Sequence, residues 1–250
     1  MFALAESPVK QGTIWAGTDD GLVQVTADDG QHWSNVTPKM PEWSTVDSIE
    51  ASPHDGNTAY LAVDRHKLDD FKPYIFKTTD LGKTWTSIVS SIPDGAYVHA
   101  VREDPKRKGL LYAGTELGVF VSFDDGAHWQ PLQLNLPVTP IHDLVVKDDD
   151  LVIATHGRSF WLLDNLTPLR QVNTQSGQTD VVLYQPQTAL RLHYPEEFDR
   201  RQPVGDNPPP GALIDYYFKT APKEEVSLDI VDSSGKVVRH FSSKEKKEAE

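Results

Sequence analysis

Cysteine is absent from the sequence, which removes a thiol nucleophile, a disulfide framework and a cysteine zinc site while leaving either redox compartment open. Long apolar runs are absent as well: no stretch approaches the ~20 residues needed to cross a bilayer, so membrane insertion is not expected. Positive charge is scarce, with 24 Lys+Arg against 37 Asp+Glu and a formal net charge of −13. The long-range field that collects phosphate backbones is therefore missing, and nucleic acid is not an expected partner. The start, MFALAESPVK, lacks the basic region, apolar run and cleavage site of a signal peptide. There is no phosphate-loop or dinucleotide glycine pattern, no HExxH and no GxSxG, and neither a cofactor nor a metal is expected.

What the sequence does contain is repetition. TADDGQHW (Thr26 to Trp33), TTDLGKTW (Thr78 to Trp85) and SFDDGAHW (Ser122 to Trp129) share a hydroxyl residue, an Asp, a Gly and a Trp at fixed places. Their aspartates, Asp28, Asp80 and Asp124, recur at spacings of 52 and 44 residues, a period that suits one four-stranded propeller blade. Ahead of each copy run short alternating segments such as TIWAGTDDGLVQV and GLLYAGTELGVFV, which read as antiparallel strands broken by tight turns. In the second unit the strands are expected over 44–52, 58–63, 74–78 and 84–89. A fourth unit, Ile141 to Asp164, keeps three strands and loses the motif. The fold class is thus all-β, a partial propeller of about four blades, three of them carrying the motif.

The motif belongs at the turn between a blade's third and fourth strands. Asp28, Asp80 and Asp124 are expected to accept backbone N–H groups two residues on, and Gly30, Gly82 and Gly126 to supply a positive φ. Trp33, Trp85 and Trp129 are expected to bury their rings between sheets. Repetition in every blade suits architecture, so these nine residues are read as structural.

With these octapeptides the chain resembles the Asp-box, or bacterial neuraminidase repeat, families: sialidases, xyloglucanase-type glycoside hydrolases and sortilin-like propellers. It is most similar to bacterial secreted sortilin-like propellers often labelled glycosyl hydrolase, through WAGTDDGLVQVT and ATHGRSFWLLD followed by TPLRQ, over about residues 2–171. The resemblance implies a secreted or periplasmic protein, further blades N-terminal to this chain, and a following β-sandwich. It implies either a scaffold binding glycan or peptide, or a glycoside hydrolase of which this chain is an incomplete, inactive part.

Blades are assigned to 1–169. Residues 170–211 read as a linker with short edge strands between Asp180 and Tyr194, rich in proline toward its end, and 212–250 as the start of a β-sandwich ending in a charged tail, SSKEKKEAE. An open arc of blades would leave unpaired faces.

Blade topology puts the loops between strands 2 and 3, and the connections from strand 4 to the next blade, on the face opposite the octapeptides. That face collects Asp19, Asp20, Asp64, Arg65, His66, Glu116, His156 and Arg158. Aligning the first strands on Ile49, Val101 and Leu144 stacks Asp47, His99 and His142 in one column near the channel mouth. The expected ligand-binding face is Asp19, Asp20, Asp47, Arg65, His66, His99, His142 and His156, with Asp64, Glu116 and Arg158 the candidates for acid–base or charge-stabilising work. Trp43 and Tyr97 are possible aromatic platforms. An arginine triad of the sialidase kind is not visible, because Arg102 and Arg107 flank a turn on the other face. Asp148, Asp149 and Asp150 align with a hairpin turn and are read as a solvated turn in preference to a calcium site.

Overall fold

Apolar residues at alternate positions, interrupted by Gly, Asp and Pro, make strands of two to seven residues that fold straight back on themselves. The structure, a computed structural model, describes residues 1–173, 178–189 and 211–244. Met1–Gln171 falls in one compact unit, and the described residues from Val172 onward belong to a second.

The first unit is a succession of antiparallel sheets, each built from consecutive strands. The first blade is β1 (Ala3–Glu6), β2 (Ile14–Gly17), β3 (Val23–Thr26) and β4 (Ser34–Asn35). The second is β5 (Thr45–Ala51), β6 (Ala59–Asp64), β7 (Tyr74–Thr78) and β8 (Thr86–Ser87). The third is β9 (Val98–Glu103), β10 (Leu111–Thr115), β11 (Gly118–Ser122) and β12 (Gln130–Pro131). β13 (Ile141–Lys147), β14 (Asp150–Thr155) and β15 (Phe160–Leu163) form a three-stranded fourth blade. This is the all-β partial propeller that the repeats imply, and the first strands of neighbouring blades lie side by side along the inner wall.

Each gap between blades is filled by its own core. Trp15, Val23 and Val25 meet Val46, Leu61 and Phe76; Tyr60, Ile75 and Ile88 meet Val98, Phe120 and Trp129; Leu110, Tyr112 and Val121 meet Ile141, Leu144 and Leu151. β6 shows why a middle strand is apolar throughout. Ala59, Leu61 and Val63 enter the first of these cores, whereas Tyr60 and Ala62 enter the second. Leu61 and Val63 have no exposed surface, a burial worth about 1.5–3 kcal/mol for each side chain.

The outermost strands are shorter than the sequence suggests. β8 covers Thr86–Ser87 where 84–89 was expected, because the Thr84 N–H is held by Asp80 and the Trp85 ring turns inward to bond the Val36 carbonyl of the preceding blade. After β15 the chain enters α1 (Thr167–Gln171), with Pro168 in its first turn, where a missing N–H costs nothing. Leu166 is fully buried in the last core, and Arg170 pairs with the buried Asp104 at 2.9 Å, which ties the helix to the third blade.

In the second unit β16 (Val181–Leu183) pairs with β17 (Tyr216–Phe218), and β18 (Ser227–Val231) pairs with β19 (Val237–Ser242). The latter hairpin turns at Asp232–Gly235, where Gly235 has φ 82 and Asp232 accepts from the Ser234 and Lys236 amides. The second of the edge strands expected before Tyr194, the proline-rich stretch up to 210 and the charged tail beyond 244 lie outside the described residues.

Candidate functional site

The octapeptides form one turn three times over. The Thr26 hydroxyl donates to Asp28 and accepts from the Gly30 N–H, and Asp28 Oδ1 accepts from the His32 N–H at 2.9 Å. Thr78, Asp80 and Thr84 repeat this, as do Ser122, Asp124 and His128. The aspartate therefore reaches four residues on, not two; the two-residue bond runs back from the Asp N–H to the hydroxyl. His32 and His128 stand where the second copy has Thr84, and each side chain reaches the second carboxylate oxygen at 2.7 Å. These bonds hold Asp28 at a pKa of about 2, the His32 amide being the largest cause.

The three tryptophans do not share one environment. Trp129 is 4% exposed and donates to the Ile88 carbonyl of the blade before it, as Trp85 does to Val36. Trp33 is 41% exposed and, among the described residues, its ring bonds its own turn at Gly30. Its expected burial between sheets is thus corrected: among the described residues no sheet precedes the first blade to receive the ring. The glycines follow the same logic. A Cβ on Gly126 would lie 2.6 Å from Ile88 Cδ1, whereas one on Gly30 would meet nothing nearer than 3.8 Å, and both sit at positive φ.

On the opposite face the sequence-aligned column becomes a chain of touching rings. His99, at the start of β9, stacks on His142, at the start of β13, with centroids 4.7 Å apart. His142 meets His156 edge-on at 4.9 Å. On its other side His99 contacts Tyr97 at 5.1 Å, and Tyr97 stacks on His66 at 5.0 Å. Carboxylates fasten this row: Asp47 lies 3.3 Å from His99 Nδ1, Glu116 lies 3.4 Å from His99 Nε2, and Asp64 holds both the His66 amide and its Nδ1, the latter at 2.5 Å.

With an acid at each nitrogen, His99 is placed to be an imidazolium. Burial alone would lower its pKa, yet hydrogen bonds to Asp47 and Glu116 and the charges of Asp47 and Asp64 carry it above the ordinary value. His142 goes the other way, lowered by burial and then by the charges of His99 and His156. Tyr97 is pushed up by burial, by its hydrogen bond to Glu116 and by the nearby carboxylates, so it remains a neutral phenol.

The remaining candidates stand apart from this row. Asp19 and Asp20 are exposed on the turn after β2; Asp20 accepts from the Thr18 hydroxyl, and the Asp19 carbonyl accepts from Thr45. The Arg65 guanidinium is engaged locally, by Asp70 at 3.0 Å and by the Glu42 carbonyl. Arg158 is exposed and its side chain makes no ion pair among the described residues. Asp148, Asp149 and Asp150 diverge: Asp148 pairs with Lys147, Asp149 with Lys106 and Arg170, and Asp150 caps the Asn165 amide.

Sequence reading missed a second cluster, farther down the same inner wall. Arg102 bonds Asp143 at 2.7 Å and lies 3.7 Å from Glu50, beside a cavity of about 310 Å³ also bordered by Glu6 and Val145. Burial drives Glu50 up to about 7 despite Arg102, with the Glu103 amide as a further opposing contact. The alignment that stacked Asp47 with His99 also places Glu50 level with Arg102, and that was the available signal.

No protein-family model and no curated protein matches the chain. Among solved structures it is similar to the GH74 xyloglucanase from Xanthomonas campestris, at 18% identity and a TM-score of 0.51, over 66% of this chain and 29% of that one. It is similar to the GH74 enzyme of Niastella koreensis at 16% identity and a TM-score of 0.50, over 66% and 28%. A structure of YCF48 bound to D1 peptide aligns at 18% identity and a TM-score of 0.48, over 64% and 54%. The chain thus spans about half of YCF48 and under a third of the two GH74 enzymes. At these identities the likeness to the two GH74 enzymes establishes the fold alone, a β-propeller.

Proposed function

We propose that this chain is part of a sortilin-like Asp-box propeller and that the face bearing Asp47, His66, Tyr97, His99, His142 and His156 is a recognition surface for a peptide or glycan, without turnover. One observation carries the reading. The carboxylates that could serve as an acid and base, Asp47 and Glu116, flank the His99 ring, and Asp64 is buried against His66. A glycosidase needs two carboxyl groups ~5–9.5 Å apart across a sugar; here the space between them is filled by an imidazole. Aromatic and imidazole faces with fixed polar edges suit binding instead.

The alternative is a glycoside hydrolase whose remaining blades complete the site, and Glu116, with a third of its side chain exposed, is the residue through which that chemistry would enter. Titrating the protein with xyloglucan oligosaccharides, sialyllactose and a set of unrelated peptides, while following the histidine ring signals by NMR, tests the proposal. A saturable shift of His99, His142 or His156 with one ligand class is expected. No shift with any of them would refute it.

A further inference from the structure

The loop joining the first blade to the second holds an aromatic ring out in solvent. Trp43 is 71% exposed, whereas Trp15 and Trp129 are buried to 0% and 4%. Its backbone takes φ 59, the left-handed region that a bulky residue seldom adopts. Trp43 lines a groove of about 400 Å³ together with Leu22, Met40, Pro41 and the acidic residues Asp20 and Glu42. The groove is a fixed part of the fold. The Ser44 hydroxyl donates to the Pro41 carbonyl at 2.6 Å, Arg65 donates to the Glu42 carbonyl, and Gly21 is pressed against the loop so closely that a Cβ there would lie 2.8 Å from the Ser44 carbonyl oxygen. Through Arg65 it is continuous with the loop that bears Asp64 and His66.

A lining of apolar residues, an exposed indole and two acidic residues, on a chain of net charge −13, describes the complement of one kind of group. A lysine or arginine side chain has an apolar stem that would lie along Leu22, Met40 and Pro41, and a cation that would sit over the indole within reach of Asp20 and Glu42. Lys39, the one basic residue between Pro38 and Trp43, does not line the groove, so no cation of the loop's own lines it. The Glu42 carboxylate has no ion pair among the described residues, and Asp20 bonds only the Thr18 hydroxyl. We infer that this groove binds a cationic side chain of a peptide ligand, one that reaches the recognition face described above. The inference rests on that reading and narrows it to peptides carrying Lys or Arg.

The test is an NMR titration of the whole chain that follows the Trp43 indole signal, assigned by comparison with Trp43→Phe. The probes are a heptapeptide with a central lysine, the same peptide with norleucine or glutamate in that place, and cellopentaose as a neutral sugar. The lysine peptide is expected to shift the Trp43 signal saturably, more weakly as salt is raised. The norleucine and glutamate peptides and the sugar are expected to leave it in place. Trp43→Ala and Glu42→Gln, both on exposed side chains and checked for an unchanged melting temperature, are expected to weaken binding roughly threefold to tenfold. An unmoved Trp43 signal with the lysine peptide, an equal response to norleucine, or a shift with cellopentaose would each overturn the inference. Should peptides shift only the histidine signals, the recognition face would stand and this groove would not be part of it.

Discussion

His99 and His142 stack at 4.7 Å with only 19° between their ring planes, and their surroundings drive the two titrations apart. His99 is raised, so the stability linked to it is present below the ordinary histidine value of 6.5 and lost as pH rises through its folded value. His142 is lowered, so its contribution is present above 6.5 and lost as pH falls through its own folded value. The ring signals of His99 are therefore expected to titrate at higher pH than those of His142. His142→Phe, which keeps a ring in the stack, is expected to lessen the loss of stability between pH 7 and 5. The reverse order of midpoints would show that Asp47 and Glu116 do not hold His99 charged.

Trp33 and Trp129 occupy the same place in the repeat and differ in what stands before them. Trp129→Ala should cost about 3–5 kcal/mol, since it empties the core shared with Ile88 and removes a buried hydrogen bond. Trp33→Ala should cost less than about 1 kcal/mol. Denaturant unfolding of both variants measures the difference, and equal costs would contradict the packing of blade against blade.

The turn itself gives a third expectation. His128 and Thr84 hold their aspartates in the same way, so His128→Thr should leave the melting temperature almost unchanged. Asp124→Ala, which strips the Ser122 hydroxyl and the His128 amide of their acceptor, should lower it by roughly 3–8 °C. A tolerant Asp124 would mean that the carboxylate does not close the turn.

Much of this was legible because repetition converts sequence into geometry. Once three octapeptides fix the blade period, Asp47, His99 and His142 fall at one height without any knowledge of contacts, and His99 and His142 do stack there while Asp47 approaches His99 Nδ1. What could not be read was pairing that depends on neighbours outside the repeat. Trp33 has the same local sequence as Trp129 and a different environment, because burial belongs to the adjacent blade. The coupling of Glu50 to Arg102 was hidden for a related reason: both lie in regularly paired parts of β5 and β9, and nothing local marks a charge as facing inward.

Glu50 supplies a fourth prediction. Its folded pKa, near 7, lies above the ordinary glutamate value of 4.5, so the neutral acid is favoured in the folded state. The linked stability is present below 4.5 and is lost as pH rises toward and through 7. Glu50→Gln, permanently neutral, should lose less stability than the unaltered protein between pH 5 and 8. Parallel pH profiles in urea unfolding would show that Glu50 is ionised throughout.

Turnover is the measurement that bears most directly on recognition without catalysis. Xyloglucan, other β-glucans and sialosides, incubated with the protein and analysed for new reducing ends and free sialic acid, should be recovered intact even where NMR shows a saturable shift at His99, His142 or His156. Hydrolysis abolished by Glu116→Gln or Asp64→Asn would contradict the account and place a working pair of carboxylates on this face.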